Sequence, residues 1–185
     1  MASKYHYALV KNFWDEERQV FDDFYIDENG KKTFDGHIGY LNFWPFFLNI
    51  LQPNDSRFII TYKKLVDPAS GMLTPFGVRS LSINDPYYRL GDNYWTSPIW
   101  MNINYLIISS LHRYSRDETI DTVMRKSLQK TYETLREGVV EMISSQYAET
   151  GFIWEVYDDA TGVGIDNHPF TGWSALYTNL LSEKY

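Results

Sequence analysis

The sequence predicts a mainly α-helical chain, with helices arranged in pairs, long aromatic loops gathered at one end and two short β-hairpin excursions. Three observations carry this. Between Asp117 and Ser145, the residues Ile120, Val123, Met124, Leu128, Tyr132, Leu135, Val139, Met142 and Ile143 recur at helical spacing with charged residues between them. From Pro98 to Tyr114 the chain is apolar on several sides, which places a second helix at the centre. Asp67 to Asn93 carries Pro68, Gly71, Pro75, Gly77, Pro86 and Gly91 without the low complexity of a linker, the mark of a long functional loop.

In chain order, Tyr5 to Phe13 has a mixed pattern that specifies no element. Phe21 to Ile26, then Asp27-Glu28-Asn29-Gly30, then Lys31 to Phe34 reads as a hairpin, with Asn-Gly supplying the positive φ of its turn. Asp35 to Tyr40 is a loop. Leu41 to Leu51 predicts a short buried helix, with Pro45 tolerated in its first turn. Asn54, Asp55 or Ser56 can cap the next helix, Arg57 to Leu65. After the two long helices, Phe152 to Val163 forms a second hairpin whose turn uses Asp158, Asp159 and Gly162. A last helix runs from Thr171 as N-cap to about Glu183. No sequence repeat is visible.

The chain has 185 residues, 44% hydrophobic and 22% charged, which fits a single domain over residues 1–185 with a core. Aromatic residues make up 17%, with 15 Tyr, 11 Phe and 6 Trp, so some of these half-polar rings are expected to face a ligand or another part of a larger protein. A net charge of −7 without a basic stripe argues against nucleic acid. With no cysteine and four scattered His, neither a disulfide frame nor a metal site is expected. The most apolar stretch, Leu41 to Leu51, is too short to span a bilayer, and the N-terminus has no signal-peptide pattern.

Gly151-Phe152-Ile153-Trp154-Glu155-Val156-Tyr157-Asp158-Asp159 and His168-Pro169-Phe170-Thr171-Gly172-Trp173 set a carboxylate among aromatic rings. Two readings stand side by side. Aromatic faces stack on pyranose rings, and a partly desolvated carboxylate between them can be tuned for acid or base work. Equally, Phe152, Trp154 and Val156 alternate as a buried strand would, leaving Glu155 on the solvent side. Asp85 and Asp92 also stand among aromatics, and each also suits a turn cap. There is no phosphate loop, GxSxG elbow or HExxH spacing, so nucleophilic, metal and cofactor chemistry find no support. Carboxylates among aromatics are the raw material of a glycosidase, which in the inverting case uses one acid and one base about 6.5 to 9.5 Å apart.

Four blocks carry a resemblance: Phe76 to Ser82, Asn93 to Leu106, Gly151 to Asp159, and Pro169-Phe170-Thr171-Gly172-Trp173. In this order they resemble the C-terminal part of the mannosyl-oligosaccharide glucosidases, the processing α-glucosidases of glycoside hydrolase family sixty-three, over roughly residues 36 to 185. The resemblance implies part of an (α/α)6 toroid of six helix pairs, with the active site at the loop end. It implies an inverting hydrolase that removes the terminal glucose from the glucosylated N-glycan precursor. Glu155 matches the general base, in a motif usually reading Trp-Glu-Gln-Tyr and here Trp-Glu-Val-Tyr. Arg79, Asp85, Tyr88, Trp95, Trp100, Asn102, Phe170 and Trp173 match residues that line or support the glucose pocket.

Two departures follow from the same mapping. Thr96-Ser97 stands where the family usually has Arg-Gly, and threonine cannot replace a planar fork of donors. The family's general acid is an Asp upstream of the matched region, and nothing in residues 1 to 35 resembles it. The first helix pairs, an N-terminal β-rich domain and a membrane anchor are likewise expected upstream, so the partners implied are the glucosylated N-glycan and the remainder of the glucosidase chain. The implied location is the lumen of the endoplasmic reticulum, with which the acceptor triplet Asn54-Asp55-Ser56 is compatible. The alternatives are an inactive glycan-binding or assembly module, and another toroid hydrolase such as a trehalase or a mannosylglycerate hydrolase.

Overall fold

The structure is a computed structural model that describes residues 2–183 and 185. Helix α1 (Ala2–Phe13) occupies the stretch whose mixed pattern specified nothing. It leads into hairpin β1 (Trp14–Asp15) and β2 (Val20–Phe21), where Trp14 pairs with Phe21. No local pattern signals this hairpin, because each strand has two residues and no alternation can show in so few. The expected hairpin follows as β3 (Phe24–Ile26) and β4 (Lys32–Phe34), with Gly30 at φ +75° in its turn.

The helix expected over Leu41 to Leu51 is shorter and tighter. A 3₁₀ turn (Tyr40–Phe43) passes into the single-turn α2 (Trp44–Phe47), with Pro45 in its first turn. Asn42 explains the early start: its buried side chain accepts from Gly39 N at 2.6 Å and donates to Phe21 O at 2.7 Å, tying this turn to β2. Helix α3 (Ser56–Val66) begins at Asp55, whose carboxylate accepts from Arg57 N, so Asp55 is the cap among the three candidates.

Within the long loop, a 3₁₀ turn (Pro68–Ser70) precedes hairpin β5 (Leu73–Thr74) and β6 (Gly77–Val78). Ile99–Trp100 forms β7, and only then does α4 (Met101–Ser115) begin, three residues later than Pro98. The strand wins these two residues because Ile99 pairs with Tyr157 and Trp100 with Val156 of β8 (Val156–Tyr157), a partner that lies far along the chain. Strand β9 (Gly164–Ile165) completes a three-stranded sheet in the order β7-β8-β9.

Helix α5 (Thr122–Thr150) is capped by Asp121, which accepts from Val123 N and Met124 N, and ends at Gly151 with φ +75°. The expected start at Asp117 fails because that carboxylate instead closes the preceding turn on Thr119 N. The C-terminus is a 3₁₀ turn (Trp173–Leu176) running into α6 (Tyr177–Ser182), capped by Gly172 rather than Thr171, and shorter than expected.

The antiparallel pair α4 and α5 forms the centre, with Ile107, Ile108, Leu111, Leu128, Val139 and Ile143 buried between elements. Around the far end of α4, Phe46 stacks on Phe58 and Tyr62, and Tyr114 meets Phe58 edge-on. Asn104 bolts α4 to β6: its amide accepts from Val78 N at 2.8 Å and donates to Val78 O and Trp100 O. Gly77 must be glycine there, since it sits at φ +138° and a Cβ would come within 2.7 Å of Asn104 Oδ1. Many aromatic rings are core, but Tyr5, Tyr7, Tyr25, Tyr87, Trp95 and Tyr147 lie more than half exposed.

Candidate functional site

Glu155 immediately precedes β8 and is 5% exposed, so the reading that put it on a solvent face does not hold. Phe152 is itself 40% exposed and the strand covers only Val156 and Tyr157, which ends the alternating pattern. The Glu155 backbone is pinned by its own N–H to Asn167 O at 3.0 Å and by Trp173 Nε1 donating to its carbonyl at 2.9 Å. Its carboxylate accepts from Tyr94 Oη on Oε1 at 2.7 Å and from the Asn167 amide on Oε2.

Burial pushes the Glu155 carboxyl up, but the hydrogen bonds from Tyr94, the Asn167 side chain and the Asn167 backbone outweigh it and hold the group below the usual carboxylate range. The same bond to Glu155, with burial added, pushes the Tyr94 hydroxyl up to about 12. Asp166 is shifted the other way, raised by burial and by the neighbouring charges of Glu155 and Asp92. Glu155 is thus a buried carboxylate whose two oxygens are both fixed by donors, Oε1 by Tyr94 and Oε2 by the Asn167 amide.

Rings surround it. Trp100 lies at 4.6 Å from Tyr94 edge-on and at 5.4 Å from Trp173, and its Nε1 donates to Tyr94 O. Trp95 stacks flat on Trp100, 3.8 Å between centroids and 5° between planes, and is itself 54% exposed. Phe170 packs on Trp173 at 4.8 Å. Trp95 also borders a cavity of about 370 Å³ walled by Tyr40, Leu41, Trp44 and Ile103, with Asp23 and His37 at its edge.

A second group lies at the other end of β8. Asp159, 1% exposed, accepts from Tyr88 Oη at 2.7 Å and Arg89 at 2.7 Å, with Arg79 Nε at 3.1 Å. Arg89 also reaches Asp158 at 2.8 Å, so the two adjacent carboxylates share one guanidinium. Burial raises the Tyr88 hydroxyl, and its bond to Asp159 raises it further.

Of the residues matched by resemblance, Trp95, Trp100, Phe170 and Trp173 therefore gather with Glu155, and Arg79 gathers with Tyr88. Asn102 sits half-buried beside Trp100, its side chain accepting from Ile103 N at 2.9 Å. Asp85 joins neither group: its carboxylate pairs with His37 Nδ1 at 2.9 Å, 48 positions earlier in the chain, and accepts from Tyr87 N inside its own loop. Sequence reasoning missed Tyr94, Asn167, Arg89 and Asp159 as polar partners. Tyr94 stood inside a block already singled out, but nothing local distinguishes a tyrosine that meets a carboxylate from one that packs. Among the described residues no group of three or more His, Asp or Glu could hold a metal, and no helix is long and apolar enough to cross a membrane.

Comparison with known proteins decides the family. Residues 4–183 match the glycosyl hydrolase family 63 C-terminal domain. The chain belongs to this family. A probable mannosyl-oligosaccharide glucosidase of Schizosaccharomyces pombe is 40% identical over 178 residues, covering 96% of this chain and 22% of that protein. The chain thus spans about a fifth of the length of that relative. Among solved structures, a family 63 mannosylglycerate hydrolase from Thermus thermophilus in complex with glucose superposes with a TM-score of 0.64 at 18% identity, over 94% of this chain and 35% of that one. Neutral trehalase from Saccharomyces cerevisiae gives a TM-score of 0.65 at 16% identity, over 97% and 29%. These likenesses bear out the fold class: a mainly α chain forming part of a family 63 toroid, with short hairpins in its loops.

Proposed function

We propose that residues 1–185 are a single C-terminal unit of the catalytic toroid of a mannosyl-oligosaccharide glucosidase, which removes the terminal glucose of the glucosylated N-glycan precursor with inversion. The observation that carries this is Glu155, buried, held ionised by Tyr94 and Asn167 and framed by Trp100 and Trp173. A general base for water must be anionic at working pH and fixed in direction, and these bonds do both. The tryptophan faces supply the platform for a pyranose ring, and Arg79 and Tyr88, clamped by Asp159, supply the polar side. Glu155 takes the proton of the attacking water, while a carboxylic acid from outside these residues protonates the leaving oxygen.

The place of action follows from the substrate: glucosylated N-glycans occur in the lumen of the endoplasmic reticulum. The 40% identity to a relative named for this activity favours the N-glycan substrate over trehalose or mannosylglycerate. The test is Glu155→Gln in a full-length context, assayed for glucose release from a triglucosylated glycan, with trehalose and mannosylglycerate in parallel. Loss of release with an unchanged fold is expected; near-normal release rejects Glu155 as the base.

One observation favours a second reading, a glycan-binding module without hydrolysis. Thr96 Oγ1 and Ser97 Oγ turn inward to Asn93 Oδ1 at 3.1 and 2.7 Å, so neither hydroxyl replaces a guanidinium toward a sugar. Titration with a glucosylated oligosaccharide separates the two readings: tight binding without turnover in the complete protein selects the module.

A further inference from the structure

We infer that Asn54 is an N-glycan attachment site, and that the glycan it carries projects from the end of the fold opposite the Glu155 cleft. The sequence contains one Asn-x-Ser/Thr triplet, Asn54-Asp55-Ser56. The acceptor reaction needs a side-chain amide that can reach the transferase, a hydroxyl two residues on, and no proline between them. All three conditions are met here by a segment that stays accessible after folding. Asn54 and Ser56 are both exposed, whereas Leu51 and Phe58 on either side are buried.

The local geometry presents the amide outward. Asp55 N donates to Gln52 O at 2.9 Å, closing a turn in which Pro53 and Asn54 are the central residues. The polar work of capping α3 falls on Asp55, which accepts from Arg57 N and pairs with the Arg57 guanidinium at 2.9 Å. Asn54 and Ser56 make no side-chain hydrogen bond to the described residues, so a sugar on Asn54 displaces no side-chain hydrogen bond there.

Position within the fold keeps the glycan clear of the site. Tyr114 near the C-terminal end of α4 donates to Leu51 O at 2.9 Å, which fixes this turn at that end. Trp100 and its neighbours stand at the other end of the same 15-residue helix, about 20 Å away at a rise of about 1.5 Å per residue. Asn54 lies three positions along the chain from Leu51, a reach of at most about 11 Å. A glycan on Asn54 therefore leaves the aromatic cleft open.

Occupancy in the native protein rests on the lumenal location proposed above; the fitness of Asn54 as an acceptor does not. The test translates the full chain behind a cleavable signal sequence in the presence of microsomes and compares its mass before and after endoglycosidase H. One endoglycosidase-sensitive increment is expected, absent from Asn54→Gln and Ser56→Ala and retained in Ser56→Thr. No increment, while a control acceptor in the same membranes is modified, overturns the site. The native protein from its source cell is measured in parallel. An unmodified native protein beside a modified microsomal one overturns the lumenal location, and with it the native glycan, without touching the Glu155 chemistry.

Discussion

Tyr94 and Glu155, 61 positions apart in the chain, share a hydrogen bond of 2.7 Å at the point where loop and sheet meet. It joins the turn-rich loop before β7 to the residue immediately before β8, and together with the Asn167 bonds it holds the Glu155 carboxyl below the usual carboxylate range.

Tyr94→Phe keeps the ring against Trp100 but removes the donor. Burial, which pushes Glu155 upward, is then opposed by the Asn167 bonds alone, so its pKa rises from its lowered position. In the wild type, the ionised form and the stability it contributes persist above the unfolded carboxyl pKa and are lost only as pH falls through the lowered folded value. The variant is expected to lose both at higher pH. Carboxyl-carbon NMR titration of Glu155, and the acidic limb of glucose release in the complete protein, both read this shift.

Asp159→Asn leaves Arg79, 8% exposed, beside a neutral amide. Breaking a buried pair from one side costs about 3–5 kcal/mol. Asp158→Asn should cost about 1 kcal/mol or less, because its pairing partner Arg89 is exposed and the amide oxygen keeps the turn acceptor for Ala160 N and Thr161 N. Urea denaturation of the two variants should give clearly separated midpoints; equal losses would mean that the Asp159 network does not hold the loop.

Gly138→Ala tests a close approach. In a helix interior the change ordinarily stabilises by about 1 kcal/mol. Here the new Cβ would lie 2.2 Å from Pro75 O, a backbone atom of the β5–β6 turn packed on α5. The expected result is a lower melting temperature, with the hairpin displaced; a higher one would show that the turn yields freely.

Trp95→Ala removes an exposed platform whose inner face lies on Trp100. Little core is lost, so stability should change modestly. Affinity for a glucosylated oligosaccharide should fall by roughly tenfold, equivalent to about 1.4 kcal/mol. Calorimetric titration checks it, and unchanged affinity would place the sugar elsewhere.

The elements legible in the sequence were those whose cause is local. Gly30 in its turn, the presence of α3 and the apolar stripe of α5 each depend on residues within a few positions. Where several local candidates competed, as with Asn54, Asp55 and Ser56 ahead of α3, the pattern revealed the helix but not its cap. The candidate site divides along the same line. Glu155 and its aromatic company could be picked out as a chemical type, whereas its donors could not.

By itself the sequence determined the helical class, the central pair α4 and α5, and an aromatic-carboxylate character near the C-terminus, because periodicity and composition act along the chain. Only the tertiary structure decided that Ile99 and Trp100 leave their helix to pair with Val156 and Tyr157, that Glu155 is buried, and that Asp159 gathers Arg79, Tyr88 and Arg89. Each of those outcomes depends on contacts between residues far apart in the chain. Burial and pairing at such separations depend on which surfaces meet, and no window of neighbouring residues contains both partners.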